Sequence, residues 1–205
     1  FKWLRVGYDL GLLLWSNVER EKGKLRVDPK ADAAISEAHR NGVNVILCLD
    51  KGNWLYHDPP RKVDWRRART REMMETYYDH QGWPTDSPEM MEGYLRYVDY
   101  MVRHFKGRVA YYEVLNEWHW MISEDCVRDY AGLLGEVIPV IKKADPKARI
   151  MLGNVGFSPD LILNCLGGGG HPTKIVNGEL CLRDKDMAIA TGVSAKDVTV
   201  AVDAH

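Results

Sequence analysis

RNGVNVILCLDKGNW, residues 40–54, decides the fold. Asn41-Gly42 is a helix stop, because glycine readily takes the left-handed conformation that ends a helix. The apolar run VNVILCL, residues 43–49, follows at once. Such a run without polar alternation is what a strand covered on both faces looks like, and parallel strands are covered that way. Asp50, Lys51, Asn53 and Trp54 come directly after it, so polar and aromatic groups gather where the strand runs out.

Outward from this point the pattern repeats. Upstream, Asp28-Pro29 supplies an N-cap and a first-turn proline, and Ala31, Ala34, Ile35 and Ala38 recur at helical spacing. Before that helix, WLRVGY (3–8) is a strand candidate. Downstream, a polar and aromatic stretch reaches Ser87 and contains a helical pattern over 64–80. Ser87-Pro88-Glu89 opens a helix whose apolar stripe is Met91, Tyr94, Leu95, Val98, Met101, Val102 and Phe105. Gly107 ends it, and RVAYYEVL (108–115) is the next strand. A helix from Ser123 to Lys143 contains Pro139, which should kink or shorten it. ARIMLGN (148–154) is a strand, and Ser158-Pro159-Asp160 begins a short helix. KIVNGELCL (174–182) reads as a β-hairpin insertion, because Asn177-Gly178 is a strong two-residue turn signal. DVTVAVDAH (197–205) is the last strand.

Strands separated by helices mean parallel strands with right-handed crossovers. An open doubly wound sheet and part of a (β/α)8 barrel both fit. The open sheet usually carries a glycine-rich phosphate turn after its first strand. Gly7 and Gly11 do not form one, and the run Gly167 to Gly170 follows a helix instead of a strand.

The bulk numbers narrow the function classes. The 205 residues suit a single domain, taken as 1–205, and the hydrophobic share of 45% is ordinary for a globular chain. A net charge of -1 argues against nucleic acid, which needs a clustered positive surplus. The basic run from Arg61 to Arg71 is interleaved with acids and reads as a solvated helix face. No apolar segment approaches the about 18 residues of a membrane span. The four cysteines match no zinc spacing, so neither a metal nor a cofactor is expected, and Cys48 reads as a buried free thiol. Seven tryptophans exceed what one core of this size needs, so some should line a groove where a flat ring stacks on a ligand.

Functional residues of parallel βα folds sit where the strands end. Those ends offer Arg5, Tyr8 and Asp9; then Asp50, Lys51, Asn53 and Trp54; then Asn116, Glu117, Trp118 and His119; then Asn154; and finally Asp203 and His205. Carboxylates, amides and aromatics around one rim suit a ligand with many hydroxyls and flat apolar faces, which is a sugar. Strict alternation would send Asn116 and Glu117 to opposite faces, so the strand must twist or bulge for both to face one pocket. Glu113, inside the strand, reads as a structural ion-pair partner of Arg5, a cation supporting the site. Trp54 and Tyr56 are candidate sugar platforms. His57, His80 and His104 read as surface or structural residues.

WSNVEREKGKL (15–25), the strand VNVILCL with DKGNWLY (50–56), and YYEVLNEW (111–118) resemble clan A glycoside hydrolases, and more narrowly the family 39 branch of β-xylosidases and iduronidases. The resemblance covers roughly residues 1–165. It implies a glycosidase-type (β/α)8 barrel, present in part (about strands 2 to 6), and retaining hydrolysis of a β-linked oligo- or polysaccharide. It makes Glu117 the general acid/base and Asn116 the partner of the sugar 2-hydroxyl. It places Asp203 and His205 at a ligand-contacting position of the sixth strand. Apolar walls such as Trp118 and Trp120 would favour a neutral carboxylic acid able to give its proton. The family's nucleophile lies on a seventh strand that has no counterpart before residue 205. Asp9, Asp50 and Asp203 are the candidate partner carboxylates within the chain. The alternative is a non-catalytic carbohydrate-binding relative. Uncovered barrel edges are expected to promote self-association, with the stretch 171–196 covering one of them.

Overall fold

The computed structural model describes residues 2–7, 11–57, 82–118, 126–153, 173–177, 179–184 and 187–194. Four strands form one parallel sheet: β1 (Trp3–Val6), β2 (Asn44–Leu49), β3 (Tyr111–Val114) and β4 (Ile150–Leu152), in the order β1-β2-β3-β4. The helices are α1 (Trp15–Val18), α2 (Pro29–Arg40), α3 (Pro88–Phe105) and α4 (Cys126–Ala144). Local sequence explains their ends. The Asp28 side chain accepts the Lys30 amide at 2.8 Å, and the Ser87 hydroxyl accepts the Met90 amide at 3.1 Å. Pro29 and Pro88 occupy first-turn positions, where no amide is missed.

The strand order bears on the two architectures. A doubly wound sheet reverses its order at a switch point. Here each crossover steps to the next strand in the same direction, which leaves every helix on one face. That face is the core. Leu47 pairs in register with Tyr112 and Leu49 with Val114, and all four are buried with Val45 and Ile150. Against them pack Trp15, Tyr94, Tyr97, Met101, Phe105, Leu134 and Ile138. Each such side chain contributes about 1.5–3 kcal/mol by leaving water. The opposite face carries Arg5, Ile46, Cys48, Tyr111, Glu113 and Met151. It is mixed, with Cys48 and Glu113 buried and Ile46, Tyr111 and Met151 half-buried. The result is an α/β layer with a parallel sheet, which among the described residues is four strands wide and open.

Two expectations need correction, and the hairpin gains a strand. Pro139 does not shorten α4, which continues to Ala144. Leu134, Val137, Ile138 and Ile141 are all buried around it, and together they outweigh the about 3 kcal/mol that an interior proline costs. The expected hairpin is present as β5 (Thr173–Val176) and β6 (Glu179–Asp184), paired antiparallel, and β7 (Met187–Ser194) adds a third strand to make an antiparallel meander. β7 runs through Gly192, which has φ 74°. Finally, the meander pairs with no strand of the parallel sheet; it packs on α4, with Val193 reaching the core. The stretch 171–196 had been expected to cover an edge of the sheet; among the described residues it covers a helix instead. The helical patterns at 64–80 and 158–160, the glycine run 167–170 and the strand 197–205 lie outside the described residues.

Candidate active site

The site is built on the end of β3. Regular strand geometry stops at Val114, and Leu115 (φ 60°) and Glu117 (φ 47°) are both left-handed. A non-glycine residue there is uncommon and costs on the order of 1–3 kcal/mol. These two residues flank Asn116, so Asn116 and Glu117 are not successive strand positions and alternation does not force them apart. The required twist is present, and it is stored as backbone strain.

Neighbouring strands hold this turn. The Leu115 amide donates to the Leu49 carbonyl at 3.1 Å, and the Asn116 amide donates to Asp50 Oδ1 at 2.9 Å. Arg5 grips Glu113 with two bonds, from Nε at 2.6 Å and Nη2 at 2.8 Å, and the same Nη2 donates to Asn116 Oδ1 at 2.7 Å. The expected Arg5–Glu113 pair is thus present. A guanidinium only donates, so the Asn116 atom facing it must be the oxygen. The Asn116 Nδ2 group has no partner among the described residues. Glu117 itself is half-buried.

Below the turn lies a clamp that the sequence does not advertise. Trp118 is 4% exposed and stacks flat on Tyr130, with centroids 4.4 Å apart and planes 2° from parallel. Its Nε1 donates to the Gly153 carbonyl at 3.2 Å. The Tyr130 hydroxyl donates to the Val114 carbonyl and accepts the Gly153 amide, both at 2.8 Å. Burial pushes the Tyr130 hydroxyl well above the ordinary tyrosine range, so it stays a donor. Gly153 has no alternative, since a Cβ there would lie 2.2 Å from the Leu115 carbonyl oxygen. Tyr130 sits among ordinary helical core positions, where nothing in the pattern distinguishes it.

A second unsuspected group organises the loops after β1 and β2. Glu19 is 1% exposed. Its Oε1 accepts from the Tyr56 hydroxyl at 2.7 Å and the Gly23 amide at 2.6 Å, and its Oε2 accepts from Trp15 Nε1 at 2.5 Å. The Glu19 carbonyl accepts from Asn53 Nδ2 at 3.0 Å, while Asn53 Oδ1 accepts the Leu55 amide at 3.1 Å. Burial, then the bond to Glu19, pushes the Tyr56 hydroxyl up to about 12.

These contacts redistribute the sequence-derived site. Asn53 and Tyr56, expected to bind substrate, turn inward, because a buried carboxylate and a short 3-10 turn (Trp54–Tyr56) need their polar atoms. Trp54, on the same turn, stays half-exposed. Asp50, also expected to bind substrate, is 0% exposed and accepts a backbone amide. Trp118 is a wall beneath the turn. Asn116, Glu117 and Arg5 are brought together. His104 is structural, with Nε2 2.6 Å from Asp32. His119, Trp120, Asp9, Asp203 and His205 lie outside the described residues. An open groove of about 780 Å³ runs over the outer helices, lined by Leu95, Tyr100, Val140 and Lys143, and shares no residue with the strand ends.

No protein-family model matches the sequence, and no curated protein matches it significantly. Solved structures do. A family 39 glycoside hydrolase from the gut symbiont Bacteroides cellulosilyticus is similar with a TM-score of 0.55 and 20% identity, over 75% of this chain and 26% of that one. Another glycoside hydrolase is similar with a TM-score of 0.51 and 15% identity, over 82% of this chain and 48% of that one. The chain therefore spans less than half the length of either. Its described sheet and helices have the fold of a stretch of a glycoside hydrolase, the group whose motifs its sequence resembles.

Proposed function

We propose that this chain is the acid/base-bearing part of a retaining glycoside hydrolase acting on a β-linked oligo- or polysaccharide. Glu117 gives its proton to the leaving oxygen, and the Asn116 amide donates to a sugar hydroxyl beside the bond that breaks. The observation that carries the reading is the turn itself. Two left-handed residues set Asn116 and Glu117 at the end of β3, and Arg5 takes the Asn116 oxygen, so the Nδ2 donor remains for a ligand. Trp54, half-exposed beyond β2, is the remaining candidate platform for a sugar face. Retention needs a nucleophile carboxylate about 5–5.5 Å from the acid. Asp50 and Glu113 are already committed to Asn116 and Arg5, and this favours the second reading, a carbohydrate-binding relative that does not cleave.

Hydrolysis of aryl β-glycosides by the chain and by Glu117→Gln separates the two. A general acid is worth about 10²–10⁴-fold, so the variant should lose at least about 10²-fold in kcat. Unchanged turnover in the variant removes Glu117 from the chemistry. Oligosaccharide binding by the unaltered chain without any cleavage establishes the binding reading instead.

A further inference from the structure

We infer that Asp50 is the positioning residue for the general acid: it holds the Glu117 turn through the Asn116 backbone amide and itself touches no substrate. The inference rests on the acid/base reading of Glu117. Asp50 is 0% exposed, and its Oδ1 accepts the Asn116 amide at 2.9 Å. That amide lies between Leu115 at φ 60° and Glu117 at φ 47°. The residue after Asp50, Lys51, is left-handed too, at φ 58°. Two strained turns, one ending β2 and one ending β3, are therefore tied by one carboxylate–amide bond. The last strand-like bond between them, Leu115 amide to Leu49 carbonyl, is one residue earlier in each chain segment. Where the ladder can no longer hold the backbone, a side chain takes over.

A carboxylate suits the task, because a bond to a charged acceptor is roughly twice as strong as a neutral one. Without it the left-handed residues are free to relax toward ordinary conformations, carrying the Glu117 carboxyl with them. A displacement of about 1 Å in a reacting group costs about 10²-fold in rate.

The test exploits the leaving group. A dinitrophenyl β-glycoside departs without a proton, whereas a methoxyphenyl β-glycoside needs one from the general acid. Asp50→Ala in the full chain is expected to lower kcat/KM, which reports the step in which the acid gives its proton, about 10²-fold on the methoxyphenyl substrate, with little effect on kcat/KM for the dinitrophenyl substrate. Asp50→Asn, which keeps an oxygen acceptor, should recover most of the loss. Equal losses on both substrates, or an Asn variant as poor as the Ala variant, overturn the inference. Amide hydrogen exchange reads Asp50 independently of turnover. Asp50→Ala should raise exchange at Asn116 by about tenfold or more while Val45 and Leu47, in the β2 ladder, stay protected. Asn116 exchange unchanged from the unaltered chain overturns the inference whatever the kinetics show. If Glu117→Gln lacks the leaving-group pattern while the Asn116 amide still responds to Asp50, the acid/base reading fails and the structural tie stands.

Discussion

Single atoms decide whether the Glu117 turn can form. Gly153 is the sharpest case, because an added Cβ would sit 2.2 Å from one carbonyl oxygen and 2.6 Å from another, both in the backbone of Val114 and Leu115. Backbone atoms cannot step aside as a side-chain tip can. Gly153→Ala should therefore destabilise the chain by about 1–3 kcal/mol and lower its Tm by several degrees. Gly132 is the control. It lies in α4 with nothing within 4 Å of its added Cβ, so Gly132→Ala should stabilise by about 0.5–1 kcal/mol. Thermal unfolding of the two variants, shifting in opposite directions, checks the assignment. At this scale the sequence was partly legible. That Asn116 and Glu117 stand at a strand end could be read directly, whereas Glu19, Tyr130 and the inward turn of Asn53 and Tyr56 could not. Position along the chain says where a side chain starts and not which way it faces once a strand has ended.

Between elements, polar clusters set the seams. α2 meets the end of α3 through Asp32, which accepts from Arg108 Nη1 at 2.9 Å and lies 2.6 Å from His104 Nε2. Arg108 Nη1 also donates to the Ser36 hydroxyl at 2.7 Å. The bond to His104, opposed by partial burial and helped by Arg108, holds the Asp32 carboxyl below its usual 3.8. A depressed carboxyl stabilises the fold above its unfolded pKa, and that stability is lost as pH falls through the folded value. The contribution is thus complete at neutral pH and fades below about pH 4. Asp32→Asn should flatten the acid limb of stability, measured by urea unfolding at a series of pH values below about pH 5. An identical acid limb in the variant would sink the assignment. The helices themselves were legible because their signals are local, as the Asp28 and Ser87 caps show. The partner of a helix is a nonlocal fact, and α2 to α3 spans a separation of 72 residues at the His104 contact.

Across the whole molecule, β1 stands at the edge of the described sheet with apolar side chains on both faces. Trp3 is 47% exposed and Leu4 38%. An edge strand with unpaired backbone groups and exposed apolar residues invites pairing with another chain, and a lysine on the edge discourages it. Self-association is accordingly expected to run through β1. Sedimentation of the chain over a range of concentrations should show mass increasing, and Trp3→Lys should suppress the increase; association unchanged by the substitution would place the contact elsewhere. Among the described residues the meander on α4 pairs with no strand of the parallel sheet, β1 included.

The order of residues alone carries the alternation of strand and helix, the helix caps, the strand-end position of Asn116 and Glu117, and the resemblance to a glycosidase. These depend on periodicity and on contacts a few residues apart. The folded chain was needed to show that the strands follow one another in a single direction, that Asp50 holds a backbone amide, and that Glu19 and Tyr130 build the supports beneath the site. Those facts depend on which groups must be satisfied when chain segments far apart in sequence are buried together, as with Tyr56 and Glu19, or Asn116 and Asp50.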